Sequence, residues 1–168
     1  GWSTNIITKE FSTVYTQLKD GKEPFLDKLE IQYADYTQWQ RLTLSGDQLK
    51  KDIEHWVEHL RDYEDLSMPT DFSRPVKLSG RGGRELMDLN KATAMRLSEF
   101  SRSNGKSSFA ILLTAMFALL HYYTRQSSIN IGMPMANRNL QELGDVIGFF
   151  ANTVITRMKF NPQMTFRK

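Results

Sequence analysis

The 168-residue chain contains no cysteine. Disulfides, thiolate nucleophiles and Cys-ligated zinc or iron–sulfur centres are therefore excluded, and the absence fits a reducing compartment. Excess charge of one sign is also lacking. The 22 Lys and Arg residues against 19 Asp and Glu leave a net charge of only +3. They are scattered rather than gathered into the patch or stripe of a dedicated nucleic-acid binder. No apolar run is long enough to cross a bilayer, since the longest, Phe109 to Leu120, is short and interrupted by Thr114. Internal repeats and low-complexity segments are absent too. The opening Gly1-Trp2-Ser3-Thr4 does not read as a secretory leader and lacks an initiator Met, which predicts a piece of a longer protein. What is present is a globular composition, with 40% hydrophobic and 24% charged residues.

Apolar periodicity predicts an amphipathic helix over residues 3–19, with Ile6, Ile7, Phe11, Val14, Tyr15 and Leu18 near helical spacing and Gly21 as its stop. Pro24 follows in a loop. An aromatic-rich helix over 31–43 carries Tyr33, Tyr36 and Trp39 at three-residue steps. Ser45 and Gln48 have capping-box spacing and open a helix to about residue 64, with Leu49, Ile53, Trp56, Val57 and Leu60 as its apolar stripe. Leu66 to Gly83 holds Pro69, Pro75, Gly80, Gly82 and Gly83 and reads as a connection between two lobes. A short strand, Glu85 to Leu89, is expected next, then a helix over 91–103 capped by Asn90 with Ala94, Leu97 and Phe100 inward. The helix from Ser107 or Ser108 to Thr124 is apolar nearly all round and is expected to be buried on most sides. Alternation of Ile129, Ile131, Met133 and Met135 predicts a strand whose end Pro134 places at an edge or turn. Residues 139–146 are a loop or short helix, and Asn152 to Lys159 is a β-branched strand before Asn161-Pro162. The order is that of a mixed α/β domain, and three strands are too few to cover its apolar surface. Missing sheet partners are expected elsewhere.

Candidate chemistry is sparse. His55 and His59 share a helix face, but His-Trp-Val-Glu-His is not the metalloprotease pattern and no third ligand is near. A solvated or packing role is favoured and no metal site is assigned. His121 reads as a core-edge residue. Gly80-Arg81-Gly82-Gly83-Arg84 fits neither the P-loop nor the dinucleotide fingerprint and reads as a flexible loop. Tyr33, Tyr36 and Trp39 have base-stacking rings, yet at helical spacing they belong to a core. No Ser-His-Asp set can be drawn from spacing alone. Taken by themselves, the residues give an intracellular α/β domain.

Four segments, in order along the whole chain, resemble motifs of the condensation domains of nonribosomal peptide synthetases. Tyr33-Ala34-Asp35-Tyr36-Thr37-Gln38-Trp39 resembles Tyr-x-Asp-(Phe/Tyr)-Ala-x-Trp, with Thr37 in place of Ala. Leu66 to Pro75, which includes Asp71 and Arg74, resembles the Leu-Pro-Thr-Asp-x-x-Arg-Pro stretch joining the lobes. Gly132-Met133-Pro134-Met135-Ala136-Asn137-Arg138 is similar to a Gly-x-Pro-x-x-x-Arg turn. Ile147 to Thr153, with Arg157 beyond it, resembles Ile-Gly-x-Phe-Val-Asn-Thr-x-x-x-Arg, with Ala151 in place of Val. Gly1-Trp2-Ser3 is similar to the tail of the active-site motif His-His-x-x-x-Asp-Gly-(Trp/Val)-Ser, whose histidines would lie just upstream of Gly1.

The resemblance implies a chloramphenicol-acetyltransferase-like fold of two lobes in a V around a tunnel. Residues 1–65 would end the N-terminal lobe, 66–83 would connect, and 84–168 would begin the C-terminal lobe. Upstream and downstream peptidyl carrier proteins would bring thioesters on phosphopantetheine, alongside the adenylation domains of the same synthetase. An amide would form with no cofactor bound by this chain, no nucleic acid and no membrane, in the cytoplasm. No catalytic residue lies in this chain, and the segment by itself is expected to be inactive. The tunnel would be faced by Gly132, Pro134, Asn137, Arg138, Gly148, Phe150, Asn152 and Thr153. Trp2, Tyr33, Asp35, Trp39, Asp71, Arg74, Pro75 and Arg157 would be structural. Gly148 is expected to permit close backbone approach, and Asn152 to offer both a donor and an acceptor. Asn-Thr at 152–153 favours condensation over epimerisation. Heterocyclising domains, and carrier-dependent or free acyltransferases, are the other relatives considered, and a non-enzymatic interaction module is the remotest.

Overall fold

The structure is a computed structural model describing residues 1–73, 75–77, 79–161 and 163–166. Its elements are α1 (Trp2–Lys19), α2 (Tyr33–Thr43), α3 (Gly46–His59), α4 (Lys91–Ser103), α5 (Ser108–Thr124), β1 (Ser128–Met135), a 3₁₀ turn (Gln141–Leu143) and β2 (Asn152–Lys159). β1 and β2 pair in a two-stranded sheet. A Cβ on Gly132 would lie 3.2 Å from Thr153, and Arg157 Nε donates to Ser128 Oγ at 2.9 Å. Those two pairings, at opposite ends of the strands, make them antiparallel.

The chain divides into two compact units. The first comprises Gly1–Asp62 and Ile131–Thr156. Its core is Tyr36, Leu143, Val146 and Phe150, with Leu29 and Ile31 packed against them. Ile6 is the buried residue of α1. The second unit comprises Tyr63–Asn130 and the chain from Arg157 onward. There Phe117, Leu120 and Ile129 are buried. α4 begins where Asn90 Oδ1 accepts from Thr93 N at 2.9 Å, and α5 where Ser107 Oγ accepts from Ala110 N at 3.2 Å. Each bond satisfies one of the amides a helix start leaves orphaned. α5 stops at Arg125, whose φ of +59° is left-handed.

Several sequence expectations fail here: α3 ends at His59 rather than near residue 64, and α4 buries none of its residues, Ala94 being exposed and Leu97 and Phe100 only half-buried. Glu85–Leu89 is irregular, not a strand. A strand exists by pairing, and the ladder among the described residues is used by β1 and β2 alone. The Ser45 box does not close, because Ser45 Oγ donates backward to Leu42 O at 2.6 Å while Gln48 reaches Asp52 at 2.8 Å. The α3 stripe is not inward: no residue of α3 is buried, and Ile53 and Val57 are exposed. α5 buries only Phe117 and Leu120, leaving Phe109, Leu112, Met116 and Leu119 exposed. One two-stranded sheet offers too little apolar surface to cover such a helix. Among the described residues, no single helix is long and apolar enough to cross a membrane.

Candidate functional site

The first unit contains a loop with no ladder of its own, from Leu143 to Phe149, in which the carbonyls of Leu143, Gly144, Val146, Gly148 and Phe149 accept from side chains outside it. Trp2 Nε1 donates to Gly144 O at 2.9 Å. Ser3 Oγ donates to Gly148 O at 2.8 Å and accepts from Gly148 N at 3.2 Å. Tyr33 Oη donates to Phe149 O at 2.9 Å. The Arg138 guanidinium donates to Leu143 O, to Val146 O at 2.7 Å and to Ser3 Oγ at 3.1 Å. The Ser3 and Arg138 bonds are part-buried, where an unpaired acceptor is costly, whereas the Trp2 and Tyr33 bonds lie in exposed positions.

Arg138 is the hub. Its guanidinium lies over the Phe150 ring, 4.1 Å from the centroid, and 5.5 Å from the centroid of Trp2, so it is both hydrogen-bonded and packed against aromatic rings. Burial lowers its pKa from the ordinary value. An arginine so held stays charged at neutral pH. Its neighbour Asn137 sits at φ +53°, a region asparagine tolerates better than most residues. Asn137 Nδ2 donates to Tyr36 Oη at 3.0 Å, and Gln40 Nε2 donates to the same oxygen at 3.1 Å.

The aromatic residues of α2 close the other side. Tyr33 meets Phe150 edge-on at 5.1 Å, and Tyr36 lies 4.6 Å from it. Trp39 packs 5.8 Å from Tyr36 but is half exposed. Asp35 Oδ2 accepts from Gln32 N at 2.8 Å and so fixes the start of α2. Gly148 is demanded by the packing: a Cβ there would fall 2.3 Å from Tyr33 Cδ2. The Tyr33-to-Trp39 and Ile147-to-Thr153 segments, more than a hundred residues apart, are therefore one packed body.

The remaining expected site residues make none of these contacts. Gly132 and Pro134 are exposed on β1. Asn152 is exposed, and its Oδ1 accepts from Thr153 N at 2.8 Å, which leaves its amide nitrogen as a donor. Asp71, Pro75 and Arg157 belong to the second unit, and Arg74 lies outside the described residues. His55 and His59 stack with ring centroids 5.9 Å apart. No group of three His, Asp or Glu able to hold a metal occurs among the described residues. His121 Nδ1 lies 2.7 Å from Gln126 O, and its ring stacks on Phe160 at 4.3 Å. It borders a cavity of about 650 Å³ in the second unit, with Phe100, Ile111, Thr114 and Met158. Ser3, Leu143 and Val146 were not singled out in the sequence. The apolar spacing of Leu143, Val146 and Phe150 was a signal for the core, whereas Ser3 gave none beyond its place in the motif tail.

The family profile described as "Condensation domain" matches residues 1–168. The chain belongs to the condensation-domain family. It is 39% identical over 168 residues to a linear gramicidin synthase of Brevibacillus parabrevis, covering 99% of this chain and 2% of that protein. Among solved structures, the X-domain from teicoplanin biosynthesis superposes with a TM-score of 0.85 at 26% identity, over 98% of this chain and 38% of that one. The first condensation domain of the CDA synthetase superposes with a TM-score of 0.73 at 19% identity, over 99% of this chain and 37% of that one. The condensation-domain chain thus carries part of the chloramphenicol-acetyltransferase-like fold and spans under two-fifths of those structures. Its Tyr33, Asn137–Arg138 and Ile147–Phe150 motif residues meet in one body.

Proposed function

We propose that the intact protein forms amide bonds between carrier-bound aminoacyl or peptidyl thioesters in nonribosomal peptide synthesis. The observation that carries this reading is the family match over all 168 residues, with the Gly1-Trp2-Ser3 motif tail lodged against Arg138 and Gly148. The amine nitrogen of the acceptor attacks the thioester carbonyl carbon, the carbon–sulfur bond breaks, and the amine proton passes to the departing thiolate. The thioester is already activated, so the protein's part is to position the reactants and stabilise developing charge. Phosphopantetheine enters as an arm of the carriers' substrates. The partners are upstream and downstream carrier proteins and adenylation domains of the same synthetase. The tunnel-facing residues are Gly132, Pro134, Asn137, Arg138, Gly148, Phe150, Asn152 and Thr153, and the histidine that handles the amine lies just before Gly1. In the whole domain, residues 66–83 connect the two lobes, and further strands cover α5.

The test is the intact synthetase with donor and acceptor carriers loaded, followed by mass spectrometry of the carrier-bound product. An amide that disappears when the second upstream histidine is changed to alanine is the expected result. A sequence upstream of Gly1 without His-His-x-x-x-Asp, or an amide indifferent to that substitution, would remove the assignment. An aspartate pattern there would move it to heterocyclisation.

A further inference from the structure

We infer that Ser3 is a positioning residue for this reaction: its hydroxyl fixes the chain leaving the active-site motif in register with Gly148. The inference rests on the function proposed above. A serine hydroxyl has one proton to donate and two lone pairs to accept with. All three capacities are used, by Gly148 O at 2.8 Å, Gly148 N at 3.2 Å and Arg138 Nη2 at 3.1 Å. Gly148 thus gives both its backbone groups to one side chain, as a residue in a ladder would give them to a neighbouring strand. Alanine would leave that N–H and C=O without this partner in a part-buried site, and unpaired groups of that kind are costly.

The geometry carries this constraint to Gly1. Ser3 is in the first turn of α1, where Thr4 N and Asn5 N bond Gly1 O at 3.1 and 3.3 Å. Those bonds close the turn around Ser3, so that Ser3 and Gly1 are held in one helical turn. On the other side, Gly148 is pinned by the Tyr33 ring, which leaves no room for a Cβ. Ser3 therefore sits between a packed anchor and the point where the chain enters from the motif. A small misplacement of a catalytic group is enough to slow a reaction that depends on orientation.

The experiment uses the intact synthetase carrying Ser3→Ala, Ser3→Cys or Ser3→Thr. Two quantities are read: the single-turnover rate of amide formation over a range of loaded-carrier concentrations, and hydrogen exchange of the peptide containing Gly148. Ser3→Ala is expected to speed exchange at Gly148 about tenfold and to lower the saturating rate about tenfold, with the carrier concentration for half-saturation unchanged. Exchange in α5 stays at the wild-type rate. Ser3→Cys keeps the shape with a weaker donor and shows the same signature at lower amplitude, so a poorly folding alanine variant decides nothing alone. Ser3→Thr retains the hydroxyl and stays within about threefold of wild type. Unchanged exchange at Gly148, faster exchange with a wild-type rate, or a shift confined to half-saturation would each overturn the inference. A wild-type protein that forms no amide overturns the proposed function instead. The two failures are distinguishable, because exchange is independent of turnover and by itself sustains or removes the Ser3–Gly148 coupling.

Discussion

The Leu143-to-Phe149 loop of the first unit and α5 of the second meet the problem of an incomplete surface in opposite ways. In the first, the Leu143-to-Phe149 loop lacks regular structure, yet Trp2, Ser3, Tyr33 and Arg138 satisfy its carbonyls and a small aromatic core seals it. In the second, α5 is regular, well capped and apolar, yet only Phe117 and Leu120 are buried. Regular backbone is therefore a poor guide to which part of this chain is self-sufficient. The irregular loop is finished within its own unit. The apolar helix leaves most of its large side chains exposed.

Breaking the first half of that contrast gives the largest expected effect. Arg138→Met removes the donor to Leu143 O, Val146 O and Ser3 Oγ together. It is expected to destabilise the complete condensation domain by about 4 kcal/mol, since Val146 O is left unpaired at a cost of roughly 1–3 while Leu143 O and Ser3 Oγ, which keep other partners, each lose a bond to a charged group. Urea unfolding reads the change, and a loss below about 1 kcal/mol would show that water replaces the guanidinium freely. Gly148→Ala comes next, at about 3 kcal/mol, because the new methyl overlaps the Tyr33 ring. Combining it with Tyr33→Ala is expected to cost less than the sum of the two, and strict additivity would place the strain elsewhere.

The second half is sharpened by Leu119→Ser. The residue is 50% exposed in this chain, so the 168-residue protein should change little. The complete domain should lose about 2 kcal/mol if added elements bury it. Equal small effects in both would leave α5 uncovered in the whole protein. The smallest stability effect belongs to Asn152→Ala, under about 0.5 kcal/mol for an exposed side chain. Condensation by the intact synthetase should nevertheless fall in that variant, and wild-type turnover would remove Asn152 from the tunnel.

Legibility in the sequence followed the range of the interactions. The helices were readable because periodicity and caps are local, and Asn90 and Ser107 cap where their types predict. β1 and β2 were readable from alternation and β-branching. Glu85–Leu89 does not form the expected strand because so short a segment says nothing about whether a partner strand exists. Ser45 was misread because a hydroxyl can donate backward as readily as it accepts forward. The family motifs marked Tyr33, Arg138, Gly148 and Phe150, but not that they touch. No periodicity links Ser3 to Gly148 across 145 residues, so that pairing became visible only in three dimensions.

The loop's dependence on distant side chains has a consequence for recombination between related synthetases. A crossover placed between α3 and β1 would leave every helix and strand intact, yet would inherit Trp2, Ser3 and Tyr33 from one parent and Gly144, Gly148 and Phe149 from the other. Where the parent supplying the N-terminal part has other side chains at positions 2, 3 and 33, the chimera would have each part well formed and Gly144 O, Gly148 O and Phe149 O without these donors. A crossover outside both segments keeps lock and key from one lineage.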